Sequence, residues 1–218
     1  MKSSATTPSE GETPVPYDVT IITVKPNTHA KALPPLEQWL KAKPRKGEFI
    51  ACLACEIGDL NQILLMHHYT SEADLAADRD TVAKDANPYG CLDLTVGRST
   101  DTFVQFPFLP PIKPGQYGPI FEIRTYLMKQ NGLPPTIAAW EKAAPARQKL
   151  SPILAAMYSV TGEVTRFMHI WPYPDLVTRA NTRKTAIDTG VWPPPGGPDH
   201  LLTMHTDIYL PAAFSPIR

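Results

Sequence analysis

The chain repeats itself, and that limits its folds more than any other feature. With Tyr17 set on Phe121, an offset of 104 residues, "YDVTIITVK" lies on "FEIRTYLMK", so that Asp18 meets Glu122 and Lys25 meets Lys129. "LPPLEQW", ending at Trp39, lies on "LPPTIAAW", ending at Trp140. The offset then returns to 104, pairing Gly58 with Gly162, Asp59 with Glu163 and Tyr69 with Tyr173. Single matches of this kind arise by chance. Their collinearity, with length changes where turn residues cluster, marks an internal duplication. The expected organisation is a disordered tail over residues 1–16, a first repeat over 17–112, a Pro/Gly connector over 113–119 and a second repeat over 120–218.

The order of elements can be read within one copy. "IFEIRTYLM" alternates in polarity and is rich in β-branched and aromatic residues, a strand pattern. Pro135 suits the first turn of a helix, where its missing N–H would be unpaired anyway. "TIAAWEKAAPARQKL" continues that helix, with Pro145 expected to kink or divide it. "ILAAMYSVTGEVTRFMHIWPY" is a pair of strands hinged on Thr161, Gly162 and Glu163. "PDLVTRANTRKTAIDTG" is a second helix, with Asp175 at its start and Arg179 and Arg183 on one face. "LLTMHTDIYL" closes the unit as a strand. The order βαββαβ is that of a ferredoxin-like split βαβ fold. Such a sheet carries helices on one face only, so two copies can pack their open faces together as one α+β barrel within the chain.

Composition removes several function classes. Lys and Arg total 21, Asp and Glu total 21, and this balance offers neither a basic groove for nucleic acid nor an acidic tail. No apolar run approaches the roughly 20 residues of a membrane span. The N-terminal stretch lacks a secretory signal, so a soluble cytoplasmic protein is expected. Cys52 and Cys55 form a C-x-x-C inside an apolar strand, which points the two thiols to opposite faces, and Cys91 stands apart. All three are expected to be buried and reduced rather than redox-active.

"FEIRTYLMK" followed by "RFMHIWPYPDLVTRANTR" resembles the NIPSNAP family, in which an acidic-x-Arg-x-Tyr strand is followed by one ending His-x-Trp-x-Tyr. Glu122, Arg124, Tyr126, His169, Trp171, Tyr173, Asp175 and Arg179 stand at the matching positions. The first copy departs from the pattern: Thr20 replaces the arginine, Ile22 the tyrosine, Leu65 the histidine and His67 the tryptophan. The resemblance implies the dimeric α+β barrel superfamily, in agreement with the element order. It implies no single reaction, since related barrels include cofactor-free monooxygenases, isomerases, haem enzymes and plain ligand binders.

Strand alternation suggests which side chains meet. Phe121, Ile123 and Leu127 are expected against the helices, and Glu122, Arg124 and Tyr126 on the open side that becomes the barrel interior. Phe167, His169, Trp171 and Tyr173 form one row of the next strand, against the aliphatic Met168 and Ile170. Thr203, His205, Asp207 and Tyr209 share a face of the last strand. One cavity is therefore expected, with His169, Tyr126, Arg124 and Glu122 as catalytic residues. Phe167, Trp171, Tyr173, His205, His67 and Tyr209 would form its walls.

A histidine that titrates near neutrality can move a substrate proton, while a tyrosine and an arginine stabilise an enolate or oxyanion. Aromatic walls suit a hydrophobic substrate of aromatic, polyketide-like or terpenoid kind. The expected chemistry is isomerisation, cyclisation or dehydration without a redox cofactor. Haem on a single histidine is the alternative, and no metal site is expected. There is no nucleotide-binding glycine loop, nucleophile elbow or His-Glu-x-x-His helix. The same residues also admit a plainer reading, as an ion pair, packed aromatics and a satisfied core histidine. In that case the chain is a non-catalytic binder of a hydrophobic molecule or an interaction protein. With both repeats in one chain, a monomer with an internal pseudo-dimer and a homodimer are both admissible.

Overall fold

The computed structural model describes residues 16–218. The expected tail at residues 1–15 lies outside the described residues, and Pro16 opens the first strand instead. Each repeat supplies four strands and two helices. The first contains β1 (Pro16–Val24), α1 (His29–Ala42), β2 (Glu48–Ile57), β3 (Gln62–His68), α2 (Glu72–Ala83) and β4 (Thr95–Gln105). The second contains β5 (Ile120–Met128), α3 (Leu133–Arg147), β6 (Ala155–Ser159), β7 (Arg166–Tyr173), α4 (Leu176–Asp188) and β8 (Leu201–Pro211). Short 3-10 turns at Pro88–Gly90 and Gly197–His200 precede β4 and β8.

All strand pairs are antiparallel, and the sheet closes in the order β1-β3-β2-β8-β5-β7-β6-β4. The two repeats meet where β2 pairs with β8 and β4 pairs with β6, so each fills the edges the other would leave open. This is the tandem ferredoxin-like α+β barrel that the βαββαβ order implies. The β2–β3 turn and the β6–β7 turn show the same exchange. Gly58 has φ +118°, and a Cβ there would lie 1.9 Å from Asp207 Oδ1 on β8. Gly162 has φ +68°, with Asp101 Oδ1 on β4 at 2.2 Å from such a Cβ. In each case only glycine lets the turn of one repeat sit on the last strand of the other.

The helices follow their local signals. Asp175 caps α4 by accepting from the Thr178 backbone N–H, and Ser71 caps α2 by accepting from Asp74 N–H at 3.3 Å. Replacing Ser71 with alanine should cost about 1 kcal/mol, read as a shift of the urea midpoint at constant slope. Pro135 is the third residue of α3, as expected, but Pro145 does not divide that helix. It falls in the last turn, where the loss of one backbone hydrogen bond no longer separates two helical segments. Cys52, Cys55 and Cys91 are buried and free. Among the described residues, no helix is long and apolar enough to cross a membrane.

The barrel interior is a packed core that gives way to a cavity of about 290 Å³ bordered by Leu64, Ile123, Met168, His205 and Tyr209. Tyr17, Leu64, Met66 and Phe103 from the first repeat meet Phe121, Ile123, Met168 and Ile170 from the second. This reverses the expected facing of β5 and β7. Their aliphatic rows point inward, and Glu122, Arg124, Tyr126, Phe167, His169, Trp171 and Tyr173 point outward beneath α3 and α4. The physical reason is that both faces of this sheet are covered. The interior receives the mainly apolar row, with Thr125 and Arg166 toward one end, while the helix side can furnish arginines to the polar one. On β8 the expected facing holds, with Tyr209 in the barrel core and Ile208 beneath the helices.

Candidate functional site

The β5–β7 register places Glu122 opposite Trp171, Arg124 opposite His169 and Tyr126 opposite Phe167, so these six side chains form one surface. Helices α3 and α4 roof it, and residues 192–198, with Trp192 at their head, close one side. Between sheet and roof lies a pocket of about 260 Å³. Arg124, Tyr126, Phe167, His169 and Trp171 line it from the sheet; Trp140 and Arg147 come from α3, and Arg183 and Ile187 from α4. Trp140 is the hub of its aromatic wall, 4.8 Å from Phe167, 4.9 Å from His169 and 4.5 Å from Trp192 between ring centroids. Ile187 and Met204 line the same pocket while 60% and 57% exposed, which gives it an apolar rim.

His169 is 2% exposed, and its chemistry is fixed by a neighbour. The Trp171 indole Nε1–H donates to His169 Nδ1 at 2.5 Å. An indole N–H can only donate, so Nδ1 is the unprotonated nitrogen and the neutral ring carries its proton on Nε2. Burial, then the positive charges of Arg124, Arg183 and Arg147, hold the imidazole pKa well below its ordinary value. Nε2 itself has no hydrogen-bond partner. His169 thus offers the pocket a neutral N–H donor, not the proton-accepting lone pair expected from its sequence position. Tyr126 is similar: Arg124 Nε donates to its hydroxyl oxygen, leaving the phenolic proton to be given elsewhere. Burial raises the Tyr126 pKa despite Arg124, so the phenol stays protonated.

Glu122 is completely buried and lies behind the lining. Its Oε1 takes Arg124 at 2.8 Å, Arg179 at 2.6 Å and Arg183 at 3.7 Å, while Oε2 has no partner. Burial pushes the Glu122 pKa up, but the hydrogen bonds from Arg179 and Arg124 and the charge of Arg183 outweigh it and hold the carboxyl below its usual range. Arg179 and Arg183 are therefore inward clamps and not a solvated helix face. Tyr173 is also behind the lining, its hydroxyl accepting from Arg147 Nη2 at 3.2 Å.

Three sequence candidates lie elsewhere. His205 pairs with Thr125, and Tyr209 with Phe121, on the barrel-interior face, away from His169. His205 Nε2 lies 3.0 Å from Asp207 Oδ1 and 3.5 Å from Asp59 Oδ2, a trio whose ligand atoms fall within 4.8 Å of one another and could hold a divalent cation. His67 belongs to the first repeat, where it lines a separate cavity of about 330 Å³ with Arg45, Phe49 and Phe214.

Sequence reasoning passed over Trp140 as a lining residue, Arg147 and Trp192. A signal for Arg147 did exist. Thr136, Trp140, Ala144 and Arg147 recur at spacings of four, four and three, the buried stripe of α3. Haem does not fit this site. The Trp171 indole holds Nδ1, so the proton sits on Nε2 and occupies the lone pair an iron would need.

Residues 121–216 match the family model described as NIPSNAP. That stretch, 96 of the 218 residues, is a NIPSNAP domain. The whole barrel is similar to an anthrone oxidase-like protein, with a TM-score of 0.64 at 11% identity over 92% of each chain. A candidate monooxygenase of Lactobacillus acidophilus gives a TM-score of 0.62 at 8% identity, over 91% of this chain and 94% of the other. A NIPSNAP family protein of Agrobacterium tumefaciens aligns at 26% identity and a TM-score of 0.42, over 47% of this chain and 96% of its own. At such identities the first two share the fold alone. The sequence matches none of the curated proteins. The NIPSNAP domain contains the whole of the pocket's sheet surface and both roofing helices.

Proposed function

We propose that the chain is a small-molecule enzyme whose site is the pocket of the NIPSNAP domain. A flat hydrophobic substrate of aromatic, polyketide-like or terpenoid kind lies in this pocket beside Trp140, against the β5–β7 surface. Reaction proceeds by proton transfer through an enolate, as in an isomerisation, cyclisation or dehydration, without a redox cofactor. The observation that carries this reading is the wholly buried, unpartnered Nε2–H of His169, which lines the same pocket as the Tyr126 hydroxyl. Donors fixed in a dry site are worth most where negative charge develops on a substrate oxygen. Arg124 supports them with positive charge, and Glu122 holds Arg124 in place.

One observation favours the second reading, a binding protein without turnover. No carboxylate is among the residues lining the pocket, and His169 has no free lone pair to serve as a base. The enzyme reading therefore needs a substrate acidic enough to lose its proton to solvent at the pocket mouth.

A panel of enolisable aromatic and polycyclic ketones, followed by mass spectrometry and tryptophan fluorescence, separates the two. Conversion by the wild type, with turnover lowered about 10²-fold in His169→Gln at nearly unchanged affinity, is the expected result. Binding without conversion across the panel would leave a binding barrel. Conversion that persists in His169→Gln would remove His169 from the chemistry.

A further inference from the structure

We propose that the pocket of the NIPSNAP domain takes an organic anion, a flat aromatic carboxylate whose acid group is received beside Arg147 and His169. The inference rests on the reading of this pocket as a small-molecule site and adds the charge of what enters it.

Hydrogen-bond accounting is the first support. Arg147 is 2% exposed, yet it forms no ion pair among the described residues. Its Nη1 donates to Ser151 Oγ at 2.7 Å and Nη2 to Tyr173 at 3.2 Å, and its guanidinium lies 4.3 Å from the Trp171 ring centroid. Its Nε has no partner. His169 Nε2, on the same pocket, is likewise a buried donor without an acceptor. Buried donors left unmade are costly, and a carboxylate is the ligand group that supplies acceptors without bringing further donors.

Charge gives the second support. Arg124, Arg147, Arg179 and Arg183 gather at this site around one carboxylate, Glu122, so four positive charges against one negative leave three in excess. The first repeat shows that the fold does not require this. There Asp18, which stands where Glu122 stands, is held by Arg79 through two nitrogens at 2.8 Å, and Arg45 has its own carboxylate, Asp78, at 3.2 Å. There too Tyr89 packs on Trp39 at 4.8 Å, an aromatic contact that brings no further charge. Both repeats hold a cavity, but the arginines of the first have carboxylate partners, whereas the second is left positive. An uncompensated buried guanidinium is expensive to keep, and a bound anion offsets that cost.

The walls set the rest of the ligand. Trp140, Trp171 and Phe167 offer ring faces and edges rather than polar groups, and Trp192 and Met204 continue the apolar surface outward. A planar carboxylate also matches the guanidinium geometry better than a point-charge partner would need.

The test is a titration of the full chain with 2-naphthoate and, separately, with its uncharged isostere 2-naphthamide. Binding is read by calorimetry and by fluorescence of the pocket tryptophans. Naphthoate should bind at least about tenfold more tightly. Arg147→Met should abolish the preference while leaving naphthamide affinity in place. Should Arg147→Met fail to fold, Arg183→Met, on the more exposed α4, should reduce the preference instead. Equal binding of the two probes, or a preference retained in a folded Arg147→Met, would overturn the anion inference and leave the small-molecule reading standing. Failure of both probes to bind would remove the reading of the pocket as an aromatic site, and the inference with it.

Discussion

Glu122→Gln should lower the unfolding free energy by about 3–5 kcal/mol, the cost of removing one partner from a buried charge cluster. Glutamine has nearly the same volume, so packing is kept and the charge alone is lost. Oε1 of Glu122 is the shared acceptor for Arg124, Arg179 and Arg183. Without it, three guanidiniums converge on a neutral amide and Arg147 adds a fourth positive charge nearby. Asp18→Asn at the equivalent site of the first repeat should cost less. Arg79 is its single ion-pair partner, and that side chain is 34% exposed and can turn to water. Denaturant unfolding of both variants at neutral pH gives the comparison. Equal losses, or a Glu122→Gln loss below about 1 kcal/mol, would mean that water reaches the cluster and that the arginines are not forced on one another. The slope should be unchanged, since neither variant alters the surface exposed on unfolding.

The duplication, the element order and hence the barrel were legible because each is carried by local signals that repeat in register: turn glycines, an Asp175 cap, alternating strands. The grouping of Glu122, Arg124 and Tyr126 with Phe167, His169, Trp171 and Tyr173 was legible too, since alternation alone assigns side chains to rows. Alternation does not say which row faces inward. In a sheet with one wet face the polar row answers that question, but here α3 and α4 cover one face and the other repeat covers the second. The choice is then made by the arginines on the helices, and Arg179 reaches Glu122 on β5 from 57 residues along the chain. The pairing of β5 with β8 was equally hidden. Once Thr125 is known to sit opposite His205, and Phe121 opposite Tyr209, His205 and Tyr209 must share the face of Phe121 and Ile123 and not that of His169. No residue type in either strand announces that register. Arg147 was missed for a different reason: arginine is read as a surface residue, although its spacing from Trp140 and Ala144 put it on the buried stripe.

Between pH 7 and pH 5 the fold should lose about 4 kcal/mol through two histidines, His67 and His169. Both are buried and neutral. Burial, reinforced by Arg45 and opposed by Asp78, pulls the His67 pKa down to about 3. Burial and then Arg124, Arg183 and Arg147 hold that of His169 well below its ordinary range. In the unfolded chain each imidazole takes a proton as pH falls through about 6.5. In the folded chain neither does so in this window, so the unfolded state binds more protons and stability falls with pH. At pH 5, about 1.5 units below the unfolded value, each contributes roughly 2 kcal/mol of loss. The half-buried His68, whose pKa is lowered chiefly by burial, acts in the same direction. Carboxylates held below their usual range, such as Glu122 and Asp78, add losses of the same sign only in more acid solution. The interval from pH 7 to pH 5 therefore isolates the histidines. His67→Leu should remove about half of the dependence, read from chemical unfolding at each pH. The His169 ring resonances should stay fixed over the same range in NMR spectra. If they move, His169 accepts a proton in the folded state, and its Nδ1 cannot be held by the Trp171 indole. It would then join four guanidiniums around one carboxylate as a further cation, and the neutral-donor role would be lost.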